Sequence, residues 1–141
     1  MPSRYDEVIR SIGLAQGIIS PAQGEQAWRK LIEREAKGQA TNLGALLVEL
    51  RVVTTTDEMA LVNASRYRVH RDIDKHIGEL LSEHGYCSAE AVTNAMAKQK
   101  NHYRETGETL RLTRVLGAQN IISEAQQRGA EKLYELGAAR R

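Results

Sequence analysis

The most constraining feature of this sequence is an internal repeat of about 34 residues. Four segments begin at positions 9, 43, 77 and 112, so that successive starts lie 34, 34 and 35 residues apart. Each segment has apolar residues at its first position and three positions later, the spacing of one face of a short helix. The segments are Ile9–Ser20, Leu43–Thr54, Ile77–Ser88 and Leu112–Ser123. A period of this length is typical of helical repeats, which bury their apolar faces against one another.

A turn is predicted within each segment, after its first short helix. Three segments have Gly17, Gly85 or Asn120 at this point, residue types that adopt the left-handed conformation closing a helix. The second segment is the exception, because Arg51 occupies the position. Two further residues follow in each segment, and they are apolar in character. The pattern therefore predicts a helix, a tight turn and a second helix in every segment.

Hydroxyl residues after these turns predict where the second helices begin. Ser and Thr side chains accept hydrogen bonds from the unpaired N–H groups of a helix start. The four residues are Ser20, Thr54, Ser88 and Ser123. A Gln or Glu three positions after a Ser or Thr completes a capping box. The predicted boxes are Ser20 with Gln23, Thr55 with Glu58, and Ser123 with Gln126.

These patterns predict an all-α fold of four helix–turn–helix repeats, with roughly eight helices in two pseudo-symmetric halves. We expect a single all-α domain over residues 1–141. Its repeat units cover approximately residues 5–37, 41–70, 72–103 and 108–136. Polar segments at 36–41 and 101–109 are predicted loops. Residues 65–75 contain no Gly or Pro, so we expect helix or a short helical connection there.

Composition excludes several classes of protein. The chain has 20 Lys and Arg against 18 Asp and Glu, a net charge of +2 that does not by itself favour a nucleic-acid or membrane partner. Cys87 is the single cysteine, which excludes an internal disulfide and a cysteine-based zinc site. No apolar run is long enough to span a bilayer, and no signal peptide is recognisable. We expect a cytoplasmic protein with no membrane insertion.

Motifs of common enzymes are absent, which predicts a protein without catalytic residues or cofactors. His84 lies three residues before Cys87, but Cys87 occupies a position that is apolar in the other segments, so we expect it to be buried. His76, Glu79 and Glu83 have helical spacing that a metal could use. No second cluster of ligands faces them in the sequence. An exposed helix face is the simpler interpretation, and no metal site is predicted.

DNA binding is an alternative suggested by the third repeat. An eight-residue helix at 77–84, a three-residue turn and a second helix have the lengths of a DNA-reading helix–turn–helix. The second helix would present Thr93, Asn94 and Lys98 to base edges. Glu90, near the start of this helix, would repel phosphate. Nucleic acid is therefore the less favoured partner, and this hypothesis predicts that the three polar residues are exposed together.

Two tandem copies of a longer motif occupy residues 42–99. The first copy reads Asn42-Leu43-Gly44, Leu47, Val53, Glu58, Val62 and Ser65. The second reads His76-Ile77-Gly78, Leu81, Cys87, Val92, Met96 and Gln99. Together they resemble the MshEN domain, the N-terminal domain of type II secretion and type IV pilus assembly ATPases. Its tandem motif is Arg-Leu-Gly-x2-Leu-x5-Leu-x4-Leu-x3-Leu-x2-Gln. Related helical modules occur in bacterial signalling proteins.

The resemblance implies a helical fold and a candidate ligand, because the tandem motif of MshEN domains binds cyclic di-GMP. The candidate contacts are Asn42, Leu43, Gly44, Leu47, His76, Ile77, Gly78, Leu81, Val92, Met96 and Gln99. The leading arginine of the motif is replaced by Asn42 in one copy and by His76 in the other. Arg66, Arg68 and Arg71 between the copies are candidate substitutes for the missing phosphate contacts. A solvated helix face is the alternative for these arginines.

The sequence thus predicts a non-enzymatic regulatory or adaptor protein. It would act by binding a protein partner, alone or as a homo-oligomer, with cyclic di-GMP as a candidate ligand. A helix–turn–helix DNA-binding regulator is the alternative, and a tetratricopeptide-like scaffold is a variant of the adaptor hypothesis. An adaptor should expose an apolar patch of more than a few hundred Å². A nucleotide receptor should have a groove around Gly44 and Gly78 with basic residues at its rim.

Overall fold

The computed structural model describes residues 2–139, which form seven α-helices and no β-strand. The helices are α1 (Arg4–Ala15), α2 (Pro21–Ala36), α3 (Leu43–Glu49), α4 (Thr55–Glu83), α5 (Ala89–Thr106), α6 (Leu112–Ala118) and α7 (Glu124–Ala139). The all-α prediction is confirmed. None of the described helices is both long enough and apolar enough to cross a lipid bilayer.

Helix α4 is the reason that the described chain has seven helices where roughly eight were predicted. It continues for 29 residues, through the segment 65–75 that was expected to be helical or a helical connection. Since no Gly or Pro interrupts this segment, the fourth and fifth predicted helices are one continuous helix.

The described chain forms two compact units that meet in sequence after Val69, within α4. Unit 1 comprises α1, α2, α3 and the part of α4 up to Val69. Unit 2 comprises α4 from His70 onwards, together with α5, α6 and α7. The boundary falls between the second and third predicted repeat units. Whether the chain is one domain, as the sequence predicts, stays a prediction.

Four helix ends share one turn geometry. Gly17, Arg51, Gly85 and Asn120 all have positive φ angles, of 69°, 60°, 72° and 56°. In each turn, the next amide donates to a carbonyl five residues earlier, at 2.9–3.0 Å, which satisfies the end of the preceding helix. The bonds join Ile18 to Gly13, Val52 to Leu47, Tyr86 to Leu81, and Ile121 to Leu116. The exceptional Arg51 therefore adopts the same turn as the Gly and Asn residues.

The predicted caps are present, with one correction. The hydroxyls of Ser20, Ser88 and Ser123 each accept a hydrogen bond from the amide three residues later, at 3.1 Å. In the second segment, the capping box is formed by Thr54 and Asp57, not by Thr55 and Glu58 as predicted. Thr54 directly follows the turn, so its amide, not that of Thr55, needs the acidic partner.

One predicted loop is confirmed and the other is shorter than expected. Residues 37–42 separate α2 from α3, as the polar segment 36–41 indicated. The segment 101–109 was expected to be a loop, but α5 continues to Thr106. Gly107, with a φ angle of 74°, ends the helix. Gly107 is the glycine of this segment, and glycine adopts the left-handed conformation at the least cost, which favours the helix end at this position.

Each unit has its own apolar core. The buried core of unit 1 consists of Ile9, Ile12, Ile19, Ala27, Leu31, Leu43, Leu46, Leu47, Val53 and Leu61. The buried core of unit 2 consists of Ile77, Leu81, Ala95, Met96, Leu112, Val115, Leu116, Ile122 and Ala130. Both sets contain the apolar positions at the starts of the repeated segments, so the sequence period marks residues that are used for packing.

Replacing Arg51 with glycine should stabilise the protein by about 0.5–1 kcal/mol, because a left-handed conformation costs an L-residue more than it costs glycine. Arg51 is exposed, so little packing is lost. The matched control is Gly17→Ala. No heavy atom lies within 4 Å of the added Cβ at Gly17, so that variant should lose stability through its φ angle alone. Urea unfolding measures both changes. An Arg51→Gly variant that is less stable than wild type would contradict the argument that the left-handed conformation of Arg51 costs stability.

Candidate functional site

A groove between α4 and α5 of unit 2 has a volume of about 480 Å³. We call it the α4–α5 groove, and its floor is apolar, with Gly78, Val92 and Met96 among the lining residues. The two helices approach closely at Gly78, because a Cβ added there would lie 2.5 Å from Cγ1 of Val92. The absence of a side chain at this position therefore allows α4 and α5 to pack this closely.

Basic side chains lie along the rim of the α4–α5 groove. Lys75 and Arg71 come from α4, and Lys100 comes from α5. Lys75 and Lys100 are exposed, and neither forms an ion pair with another residue of the described chain. Glu79 is the acidic residue of the lining, with 69% of its side chain exposed. The rim thus combines three cationic groups with one carboxylate, which gives it a net positive charge.

Arg71 is tied to α5 at the edge of the groove. One guanidinium nitrogen donates to the carbonyl of Met96 at 3.0 Å and to Oε1 of Gln99 at 3.3 Å. Since Arg71 is anchored by these bonds, its charge has a defined place at the rim. The two lysines are the cationic groups that lie at the groove without such an anchor.

A buried polar network lies behind the groove and was not predicted from the sequence. Asp74 is 1% exposed, and its carboxylate accepts hydrogen bonds from the guanidinium of Arg111 at 2.7 and 3.1 Å. It also accepts from Nε2 of Gln99 at 2.7 Å and from the amide of Leu112 at 2.9 Å. Gln99 donates its second amide hydrogen to the carbonyl of Leu110. This network joins α4, α5 and the start of α6.

Gln99, a candidate ligand contact, belongs to this network. It is fully buried, it donates both amide hydrogens, and its oxygen accepts from Arg71. Its role in the described structure is to satisfy Asp74, because a buried carboxylate requires hydrogen-bond donors.

The apolar candidates of the two motif copies lie in two separate cores. Leu43, Gly44 and Leu47 are buried in unit 1, whereas Ile77 and Leu81 are buried in unit 2. Their helical spacing is explained by packing within each unit. Of the apolar candidates and Gly78, the structure therefore brings only Gly78, Val92 and Met96 together at the α4–α5 groove.

The two residues that replace the motif arginines differ in their surroundings. Asn42 caps α3, since its side-chain oxygen accepts from the amide of Ala45 at 2.9 Å. His76 is exposed, with Nδ1 3.8 Å from Glu79 and its ring centroid 6.2 Å from that of Tyr134. Neither residue lines the α4–α5 groove.

The three spacer arginines do not form one cluster. Arg71 lies at the α4–α5 groove, while Arg66 lines a cavity in unit 1 together with Asn42. Arg68 is exposed on α4 and lines neither cavity. Only Arg71 is therefore placed beside the other candidates in unit 2.

The suspected metal and nucleophile residues show no geometry suited to catalysis. His76, Glu79 and Glu83 line a cavity of about 230 Å³ between α4 and α7. Across the residues that the structure describes, no group of three His, Cys, Asp or Glu side chains is arranged to hold a metal ion. Cys87 is half-buried against the core of unit 2, and burial raises the pKa of its thiol. An activated cysteine nucleophile requires the opposite shift.

The residues of the DNA-binding hypothesis are exposed on α5. Thr93, Asn94 and Lys98 all face solvent, as does Glu90. The hydroxyl of Thr93 donates to the carbonyl of Ala89. The helix before the turn is not a short first helix of a DNA-reading motif, because it is the end of the 29-residue α4.

No protein-family model matches this chain, and no curated protein or solved structure was found to match it. The resemblance to MshEN domains therefore stays a prediction, supported only by the residues that carry it.

Proposed function

We propose that this protein is a non-enzymatic regulatory or adaptor module that acts by binding. In this proposal, the chain consists of four copies of one helical hairpin, arranged as two related halves that resemble MshEN domains. The four turns with one hydrogen-bond pattern support this organisation. The two buried cores support it as well, because both contain the apolar residues at the starts of the repeated segments.

The α4–α5 groove carries the proposal. Its apolar floor around Gly78 fits a flat ring, while the ammonium groups of Lys75 and Lys100 are suited to phosphate oxygens. The nucleotide hypothesis predicts a groove around Gly44 and Gly78 with basic residues at its rim, and of these two glycines only Gly78 lines the α4–α5 groove. Cyclic di-GMP, which the resemblance implies, combines purine rings with two phosphates and is our first candidate ligand.

A protein partner is the second candidate occupant. Large apolar side chains are exposed in both units, with Ile32 at 48% and Met59 at 67% in unit 1, and Leu136 at 50% in unit 2. Of these three residues, Met59 is of a type that is enriched in protein interfaces. An acidic amphipathic helix would place its apolar face on the groove floor and its carboxylates beside the lysines.

Replacing both Lys75 and Lys100 with alanine should weaken cyclic di-GMP binding at least about 100-fold, because each lysine supplies a charge-assisted contact worth roughly 1.5–3 kcal/mol. Isothermal titration with cyclic di-GMP, cyclic di-AMP and GTP measures affinity and selectivity. The matched control is Lys98→Ala with Lys132→Ala, two exposed lysines that do not line the groove. This control removes the same charge and should leave binding unchanged.

The titration separates the candidates. Absence of heat with any of the three nucleotides would reject the nucleotide proposal and leave the protein partner. An equal loss of affinity in the control pair would indicate attraction by overall charge and not by this groove. Binding to duplex DNA that is lost only in the control variant, Lys98→Ala with Lys132→Ala, would favour the alternative DNA-binding function.

A further inference from the structure

Each unit contains a buried carboxylate at the start of its third helix. Oδ1 of Asp6 accepts a hydrogen bond from the amide of Leu43, and Oδ2 of Asp74 accepts one from the amide of Leu112, both at 2.9 Å. Asp6 is 3% exposed and Asp74 is 1% exposed. The two carboxylates therefore hold equivalent positions relative to α3 and α6, and their other partners can be compared directly.

The two carboxylates differ in how their charge is balanced. Asp74 is paired with the guanidinium of Arg111, whose Nη2 lies 2.7 Å from Oδ1. Asn42 precedes Leu43 as Arg111 precedes Leu112, so unit 1 has no arginine at that position. The remaining donors to Asp6 are the amide and the hydroxyl of Ser3, both at 2.9 Å and both neutral. Asp6 has no ion pair within the described chain, although buried charges are normally paired.

A cavity of about 380 Å³ opens beside Asp6. Its lining includes Ser3, Asn42 and Ser65 as well as the apolar Ile9. Ser65 is 1% exposed, and its hydroxyl donates to the carbonyl of Val62 at 2.8 Å, so its oxygen keeps the capacity to accept a hydrogen bond. The cavity thus combines a carboxylate with further hydrogen-bond acceptors and an apolar wall.

We propose that this cavity binds a guanidinium group from outside the chain, the arginine side chain of a partner protein. Unit 2 fills the corresponding position with its own Arg111. A planar guanidinium can donate to a carboxylate and a neighbouring oxygen at once, which an ammonium group cannot do with the same geometry. The proposal concerns unit 1 and does not depend on the α4–α5 groove of unit 2 or on cyclic di-GMP.

Arg66 is the basic residue of the cavity lining, and it determines the design of the test. It is exposed and forms no ion pair within the described residues. Its positive charge opposes the entry of a second cation, so Arg66→Ala should tighten binding of the guanidinium. If Arg66 itself neutralised Asp6, the same variant would lose stability without any gain in affinity, and that result would overturn the proposal.

The probe is N-acetyl-L-argininamide, titrated into the protein while amide chemical shifts are followed by NMR, with N-acetyl-L-lysinamide and free L-arginine alongside. We expect saturable shifts in α1 and at the start of α3 for the arginine amide, and at least tenfold weaker binding of the lysine amide. If free L-arginine binds as tightly as the arginine amide, the site is one for the free amino acid, and the proposed binding of a partner's side chain is wrong. Absence of saturable shifts would overturn the site itself.

The Asn42→Arg variant places an arginine in unit 1 at the position that Arg111 holds in unit 2. The new arginine should occupy the cavity, abolish binding of the probe and raise the melting temperature. An arginine is compatible with this position in the repeat, because α6 begins after Arg111 without a side-chain cap. Asn42→Ala is the matched control, since it removes the cap of α3 but leaves the cavity open, and it should retain binding. Equal loss of binding in both variants would overturn the proposal.

Discussion

Replacing Arg111 with alanine is expected to destabilise the protein by up to about 3 kcal/mol, the lower end of the cost for a buried ion pair, because Asp74 is 1% exposed but Arg111 is 35% exposed. Asp74 would remain buried while losing its three hydrogen bonds from the guanidinium. Its remaining donors, Gln99 and the amide of Leu112, are neutral. Because these groups join α4, α5 and α6, the loss should appear as unfolding of unit 2 in hydrogen exchange and in urea titrations.

Two further variants test the cause of this loss. Lys37→Ala removes an exposed ion pair with Glu33, in which both side chains are 62% exposed, and should cost less than about 1 kcal/mol. A double variant, Asp74→Asn with Arg111→Met, removes both charges and leaves an amide oxygen that can accept from Gln99 and from the amide of Leu112, so it should recover part of the stability lost by Arg111→Ala. A loss below about 1 kcal/mol in Arg111→Ala would show that the pair does not organise unit 2.

Replacing Gly78 with alanine is expected to destabilise the protein by about 1–3 kcal/mol through overpacking. The added Cβ would lie 2.5 Å from Cγ1 of Val92 and 3.3 Å from Cδ2 of Leu112. Val92 is β-branched and has few alternative rotamers, so it cannot easily move away. Helices α4 and α5 would have to separate, and the α4–α5 groove would change shape.

Gly129→Ala is the matched control for Gly78→Ala. Gly129 lies within α7, and the nearest atom to its added Cβ is the hydroxyl of Tyr86 at 3.9 Å. Alanine should stabilise this helix by up to about 1 kcal/mol. The double variant Gly78→Ala with Val92→Ala should recover stability, because it removes the Val92 methyl group that the added Cβ would contact. Equal effects of alanine at Gly78 and Gly129, measured by urea unfolding, would contradict the close contact.

Substitutions at Gly78 therefore do not report on ligand binding alone, because they disturb the packing of unit 2. The rim lysines are better positions for that purpose. Lys75 and Lys100 are exposed and make no ion pairs within the described chain, so their replacement changes the charge of the groove and leaves its apolar floor in place.

The sequence predicted the helix ends well where local rules determine them. A turn that follows each short helix depends on backbone conformation and on capping, and both are set by a few adjacent residues. Arg51 is an exception to these local rules, because an unfavourable residue type adopts the same turn there, with a φ angle of 60°. The described residues form seven helices where roughly eight were predicted, also for a local reason, because no Gly or Pro between residues 65 and 75 stops α4.

The candidate site could be predicted only in part. Leucine and glycine positions of the motif recur at helical spacing, but spacing alone does not distinguish a core residue from a ligand contact. The partnership of Asp74 with Arg111 joins residues 37 positions apart, which no local pattern specifies. A usable signal was the presence of an acidic residue, Asp6 or Asp74, three positions before the first apolar residue of two segments. The rim lysines depend on how α4 packs against α5.

NMR chemical-shift mapping with cyclic di-GMP tests the central claim most directly, because it reports binding and location together. We expect saturable shifts that cluster in α4 between Arg71 and Ser82 and in α5 between Ala89 and Lys100, and we expect these shifts to be lost in the variant with alanine at both Lys75 and Lys100. Absence of shifts at saturating ligand, or a cluster confined to unit 1, would contradict the assignment of the α4–α5 groove as the binding site.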